Sequence, residues 1–256
     1  MKIGLILAQH NEIEYIQECL TPWIKYRKDN SLLIACLDAL FQESLDVNSD
    51  GSSNTHEILT EYKRLNLIDF YQKIDQRIKE HEVRNIALKW LLENDIEVAI
   101  SIGVDEIFTL EEIEKITNYI KKERFIAVFK IHYKNYIGDK KHYINGFVPH
   151  RIWRVQYQDN KLKEFAWDDD IKYIDKNGLE ILDKMLPSKI IPGIQIKHYT
   201  WLNDERSRRK CIYQNDHFSP YGCGYKWNET TKSVGFNEEY YKKTGQSIPE
   251  IMVDNV

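Results

Sequence analysis

The chain is short of the features that usually assign a sequence at once. Its four cysteines, Cys19, Cys36, Cys211 and Cys223, show no CxxC spacing, and two of them fall in expected core elements, so reduced thiols in a cytoplasmic protein are expected. Neither GxGxxG nor GxxxxGK[ST] occurs, which leaves the dinucleotide fold and the P-loop without support. Gly222-Cys223-Gly224 lacks the third glycine and follows no clear strand. No apolar run approaches the roughly 20 residues of a membrane span, and Ile3 to Ala8 is too short for a signal-peptide core. Charge of one sign is scarce too. The formal balance is −4, which argues against a nucleic-acid binder driven by bulk charge. There is no repeat, low-complexity tract or evident linker.

What is present is 256 residues, 42% of them hydrophobic, enough for one large α/β domain or two small ones. The chain is organised around Val98-Ala99-Ile100-Ser101-Ile102-Gly103-Val104-Asp105-Glu106. A short apolar run there feeds two adjacent carboxylates. Thr109 and Glu112 follow with the spacing of a capping box, and Ile113, Ile116 and Ile120 continue at helical spacing. Asp105 is therefore expected at the C-terminal end of a central strand, where open α/β sheets bind ligands. The alternative is that Asp105 and Glu106 merely solvate a strand end.

Along the chain, Lys2 to Ala8 reads as a buried strand ending in the polar loop Gln9-His10-Asn11-Glu12. Ile16, Cys19, Leu20, Trp23 and Ile24 form one helix face, interrupted by Pro22. Ser31 to Leu37 is a second strand with Asp38 at its end, and a loop through Asp50-Gly51-Ser52-Ser53-Asn54-Thr55 leads to a helix over 57–66. Leu67 to Lys73 is a weaker third strand. Val83, Ile86, Ala87, Trp90 and Leu91 mark an amphipathic helix, with Arg84 and Asn85 near its start. This alternation predicts a mostly parallel sheet flanked by helices. After a strand at Phe125 to Ile131 the texture becomes aromatic-rich, with strand-like runs at Arg151 to Val155 and Ile190 to Ile196 and a hairpin turn expected at Asn145-Gly146. That irregular half is expected to complete a cleft.

These residues together resemble the family 2 glycosyltransferases, which have the GT-A fold, a Rossmann-type α/β sheet. The first strand with Asn11-Glu12 resembles the family's opening segment beneath the nucleotide. Asp50 to Leu59 resembles its "DGSxDxTxEIL" stretch, Arg84-Asn85 its "RN" pair, and Gly103-Val104-Asp105-Glu106 its DxD motif followed by Glu. Two departures stand out: Gly103 replaces the first Asp of DxD, and Asp38 is separated from Asp50. The resemblance implies one domain over 1–256, with a nucleotide-sugar-binding half (1–125) and an acceptor-side half (126–256). It implies nucleotide-sugar contacts from Gln9, Asn11, Glu12, Asp38, Arg84, Asp105, Arg206 and Lys210, with Arg209 nearby, although the basic run 206–210 also reads as a solvated helix face.

The same resemblance implies a divalent metal, Mn²⁺ or Mg²⁺, on Asp105, with His198 completing its shell. The implied activity is transfer of a sugar from a nucleotide-diphosphate donor to an acceptor hydroxyl, by inverting displacement, in the cytoplasm or peripherally at a membrane surface. The acceptor would be a glycan or another hydroxyl compound. The acceptor needs a base. Trp167-Asp168-Asp169-Asp170 offers one, with Asp169 first and Asp168 second; the same run also reads as a surface acidic loop. Asp139, Asp159 and Asp204 stand in reserve. Trp153, Tyr199, Trp201 and Trp227 are either acceptor-stacking platforms or core, with core preferred for Trp153. Two other readings stay open. One is a non-catalytic carbohydrate- or nucleotide-binding protein of the same fold, which Gly103 favours; the other is a nucleotidyltransferase, which the missing glycine-rich first loop disfavours.

Overall fold

The structure, a computed structural model, describes residues 1–10, 12–41, 55–145, 148–166, 170–202, 207–208, 211–212, 215 and 224–253, without the side chain of Thr200. Its centre is β1 (Ile3–Gln9), β2 (Leu32–Phe41), β3 (Phe70–Ile78) and β4 (Val98–Ile102), all parallel, in the order β3-β2-β1-β4. The connecting helices are α1 (Ile13–Arg27), α2 (His56–Arg64) and α3 (Glu80–Glu93). Beyond β4 come β5 (Glu106–Ile107), α4 (Leu110–Lys122), β6 (Val128–Gly138), β7 (His142–Ile144) and β8 (His150–Arg154). β8 lies antiparallel between β4 and β6, so the sheet becomes mixed there. A long β13 (Ser188–Leu202) runs parallel to β6 and also takes β5 antiparallel. The expected α/β sheet flanked by helices is thus what forms.

The parallel strands carry apolar residues on both faces, as burial by helices on both sides demands. In β1, Ile3, Leu5 and Leu7 face the core beneath α1 and α4, while Ile6 and Ala8 face α3. The second face uses small residues, Ala35, Ala39, Ala87 and Ala99, which bring α3 close to the sheet. α1 passes through Pro22 without a break. The capping box at Thr109 and Glu112 forms as the spacing predicts, with Thr109 Oγ1 accepting the Glu112 N–H at 3.2 Å and Glu112 accepting the Thr109 N–H at 2.7 Å.

Two local expectations need correction. The third strand is Phe70–Ile78, not Leu67 to Lys73, because the apolar run 67–69 is spent elsewhere. Leu67 closes the end of α2 on the Tyr62 carbonyl, Ile68 plugs the core, and the Asp69 carboxylate accepts Arg27 and the Ile34 N–H. β2 continues past Asp38 to Phe41, so Asp38 lies within a strand and not at its end. The tight turn of the aromatic half joins β6 to β7 through Gly138 and Asp139, where the Asp139 carboxylate accepts the N–H groups of Lys141 and His142. The hairpin turn expected at Asn145-Gly146 is a separate one, after β7, and its Gly146 lies outside the described residues.

The rest of the aromatic half is also regular. β9 (Gln156–Tyr157), β10 (Asn160–Phe165), β11 (Ile171–Ile174) and β12 (Glu180–Leu182) form a four-stranded antiparallel sheet on the α3 face. Asn85 pins it there, its amide bonding the Phe165 N–H and carbonyl at 2.6 and 3.0 Å. Last come the hairpin β14 (Tyr225–Asn228) with β15 (Ser233–Phe236), α5 (Glu238–Thr244) and β16 (Met252–Val253), which pairs with β7. Among the described residues no helix is long and apolar enough to cross a membrane.

Candidate functional site

β1 and β4 end close together, while β2 runs on past them. Leu7 of β1 is level with Ile102 of β4 and Cys36 of β2, so Gln9, Asp38 and the Gly103-Val104-Asp105 turn all stand at the C-terminal edge. The turn then enters β5, whose Glu106 pairs with His198 of β13, and the Tyr199 N–H bonds the Asp105 carbonyl at 2.9 Å. Backbone pairing therefore brings two distant sequence positions together: His198 Nε2 lies 3.3 Å from Asp105 Oδ2. The other ring nitrogen, Nδ1, bonds Asn135 Oδ1 at 2.6 Å across the β6–β13 register. A carboxamide oxygen only accepts, so Nδ1–H donates to Asn135, and this bond fixes the ring with its Nε2 edge facing Asp105.

Those two groups suit a divalent cation. Adjacent ligands on one ion, each about 2.1 Å from it, stand roughly 3 Å apart, close to the spacing found here. Oxygens of a phosphate or water would complete such a shell.

Glu106 has a different task. Tyr133 donates its hydroxyl to it at 2.5 Å, and Arg151 donates from Nη2 at 2.8 Å and from Nε at 3.2 Å. Glu106 and Arg151 are both buried. Burial pushes the Tyr133 hydroxyl well above its ordinary range, so it stays protonated and donates. Arg151 reaches Glu106 because β8 is bulged at this point: Ile152 pairs with Phe129 and His150 with Lys130, leaving Arg151 unopposed and re-aimed.

Gly103 also has a local reason. A Cβ there would lie 2.7 Å from Asp105 Oδ1 and 3.3 Å from Glu106 Oε1. The space of a side chain is already taken by the neighbouring carboxylates. We expect Gly103→Ala to displace the Asp105 carboxylate and weaken divalent-cation binding at least ~10-fold, as loss of ligand orientation does. The fold should persist, since a carboxylate end can rotate away. Calorimetric titration with Mn²⁺ beside a melting curve checks this; unchanged affinity would separate Gly103 from the site.

At the other end of the edge, His10 Nδ1 meets Asp38 Oδ1 at 3.0 Å and Thr55 Oγ1 donates to Gln9 Oε1 at 2.8 Å. The Thr55 contact fixes the amide, so Gln9 turns its Nε2 donor away from it. That Nε2 and Asp38 Oδ2 are buried and have no hydrogen-bond partner among the described residues. An orphaned donor beside an orphaned acceptor suits a ligand edge that offers the reverse pair. Beneath the site, Cys19 remains a neutral thiol, because burial first and then the charge of Glu106, with Asp105 and Glu12 adding, pushes it well up. Glu12 stands at the N-cap of α1.

Other residues singled out from sequence fall variously. Arg84, in the first turns of α3, pairs with Glu80 and lies against the Phe165 ring, buried. Tyr199 and Trp201 are buried core, the latter stacked on Tyr225 with centroids 4.5 Å apart, and Trp153 is fully buried as preferred. Trp227 is partly buried in the same small cluster. Asp139 spends its carboxylate on the β6–β7 turn, whose backbone N–H groups lower its pKa and make it a weaker base. Asn11, Trp167, Asp168, Asp169, Asp204, Arg206, Arg209, Lys210 and most of the 50–55 loop lie outside the described residues.

Sequence reasoning missed His10, Thr55, Tyr133, Asn135 and Arg151. Only Asn135 left a trace: Lys130-Ile131-His132-Tyr133-Lys134 alternates, and the amide then occupies a buried position.

No protein-family profile matches the chain, and no curated protein does. Among solved structures it is similar to S. aureus TarS. The 1–349 form is 15% identical, with 78% of this chain and 61% of that one covered and a TM-score of 0.49. The same form in complex with UDP-GlcNAc is 19% identical over 54% of this chain and 36% of that one, with a TM-score of 0.41. Its complex with UDP is 20% identical over 54% and 37%, with a TM-score of 0.40. The chain therefore spans less than two thirds of the length of these neighbours, and identity of this size concerns the fold alone.

Proposed function

We propose that this chain is a glycosyltransferase of the GT-A kind, moving a sugar from a nucleotide-diphosphate donor to an acceptor hydroxyl with the help of a divalent cation on Asp105 and His198. The observation that carries the reading is the meeting of those two side chains at the C-terminal edge of the sheet, with Asn135 fixing the imidazole. Cleaving a sugar–phosphate bond leaves a diphosphate whose growing charge needs compensation, and Mn²⁺ or Mg²⁺ supplies it when bound. Gln9 Nε2 and Asp38 Oδ2 offer a donor and an acceptor to a nucleobase edge. A pyrimidine such as uracil, with adjacent carbonyl and N–H, matches them. Glu106, Arg151 and Tyr133 hold the turn that carries Asp105.

Calorimetry with UDP, CDP and GDP, with and without Mn²⁺, tests this. Metal-dependent binding, tightest for UDP, is expected; no metal-dependent binding of any nucleotide would overturn the reading.

For the base we keep Asp169, with Asp168 second, because an in-line displacement needs a carboxylate opposite the leaving diphosphate and Asp105 is on the phosphate side. Asp169→Asn should lower kcat by about 10²–10⁴-fold with donor binding nearly unchanged. Near-full activity in all three Asn variants at 168–170 would make this run a solvated loop.

A further inference from the structure

A second cluster lies on the other face of β8 and has no part in the donor site. The bulge that turns Arg151 towards Glu106 leaves His150 and Trp153 both directed at Asp183, in the 3-10 turn Asp183–Met185 before β13. His150 Nδ1 is 3.0 Å from Asp183 Oδ2, and Trp153 Nε1 donates to the same oxygen at 2.7 Å. Asp170, at the start of β11, completes the group: one ligand atom from each of His150, Asp170 and Asp183 lies within 4.8 Å of the others.

Two hydrogen bonds satisfy Asp183 Oδ2, but Oδ1 is buried with no hydrogen-bond partner among the described residues. Asp183 itself is 0% exposed. A buried carboxylate oxygen left without a donor has lost its water and gained nothing in return, so its retention wants an explanation. Trp153 and His150 both sit on Oδ2, leaving Oδ1 as the open coordination point.

We propose that His150, Asp170 and Asp183 form a second divalent-cation site, of the Zn²⁺ class. One imidazole and two carboxylates are a donor set suited to Zn²⁺, where all-oxygen shells suit Mg²⁺ or Ca²⁺. Two carboxylate charges are neutralised by one such ion. Lys184 Nζ stands 4.0 Å from Asp170 at an exposed position, a distance that leaves Asp170 available. Bound there, the ion ties the segment entering β11 to β8 and to the turn before β13. In sequence that segment directly follows Asp168 and Asp169, so the ion would steady the strand next to the proposed base without touching the reaction.

The test uses the full chain carrying Asp105→Asn and His198→Ala, so that the donor-site ligands cannot contribute. After chelator treatment and dialysis, calorimetric titration should still register one Zn²⁺ per chain, and Co²⁺ in its place should give the intense visible absorption of a four-coordinate ion. Adding His150→Gln or Asp170→Asn should each weaken Zn²⁺ binding at least ~10-fold. Asp170 is partly exposed, so its variant keeps the test valid if the His150 variant loses folding. Absence of Zn²⁺ binding in the parent, or binding untouched by the Asp170 change, overturns the proposal and leaves a hydrogen-bonded buried aspartate. The outcome is independent of whether the Asp105 site binds nucleotide.

Discussion

Asp105→Asn should abolish turnover, lowering kcat by on the order of 10³-fold or more, about 4 kcal/mol of transition-state stabilisation. The substitution keeps shape and removes the one charge that faces His198 Nε2. His198→Ala should do the same, because its Nε2 is the second proposed ligand, 3.3 Å from the Asp105 carboxylate. Asn135→Leu separates orientation from ligation. It removes the acceptor that holds Nδ1–H at 2.6 Å, so both imidazole tautomers become available and metal affinity should fall about 10–100-fold while kcat at saturating Mn²⁺ falls less. None of the three opens a large cavity, and melting curves should stay within a few degrees of the parent. Near-normal, metal-dependent rates in Asp105→Asn would remove this assignment.

The largest effect on stability should come from Arg151→Met. It strands Glu106, which is 2% exposed, with only the Tyr133 hydroxyl as partner. Breaking a buried ion pair from one side costs about 3–5 kcal/mol, since the remaining charge has lost both water and counter-charge. For a chain of this size that corresponds to a fall in Tm of roughly 10 °C or more. The double variant Arg151→Met/Glu106→Leu should recover much of the loss, because an apolar pair removes the stranded charge. Thermal melts of the two variants decide it: equal losses in both would mean that Arg151 matters for shape and not for its charge.

How much of this was legible in the chain depends on the range of the interaction involved. The strand-and-helix alternation of the first 125 residues was readable, because both faces of a parallel sheet are buried and the apolar runs are continuous. The capping box at Thr109 was readable because its two partners are three residues apart. β3 was misplaced. An edge strand such as Phe70-Tyr71-Gln72-Lys73-Ile74 buries little, so its apolar signal is weaker than that of the run at 67–69 which closes α2. β6 and β13 read as shorter fragments than they are, because Lys130, His132, Lys134, Gln195 and Lys197 break their apolar pattern.

By itself the sequence determined that Asp105 stands at the end of a central strand, since the apolar run from Val98 and the helix start at Thr109 leave no other place for it. It also offered His198 as a metal ligand, although only through resemblance. That the two lie 3.3 Å apart was decided by the pairing of β5 with β13, a contact between segments whose sequences carry no mark of one another. Asn135 against His198, Arg151 against Glu106, and His150 against Asp183 were likewise decided there. Hydrogen bonds and ion pairs between distant segments depend on register and on one bulged residue in β8. Local hydrophobic periodicity encodes neither.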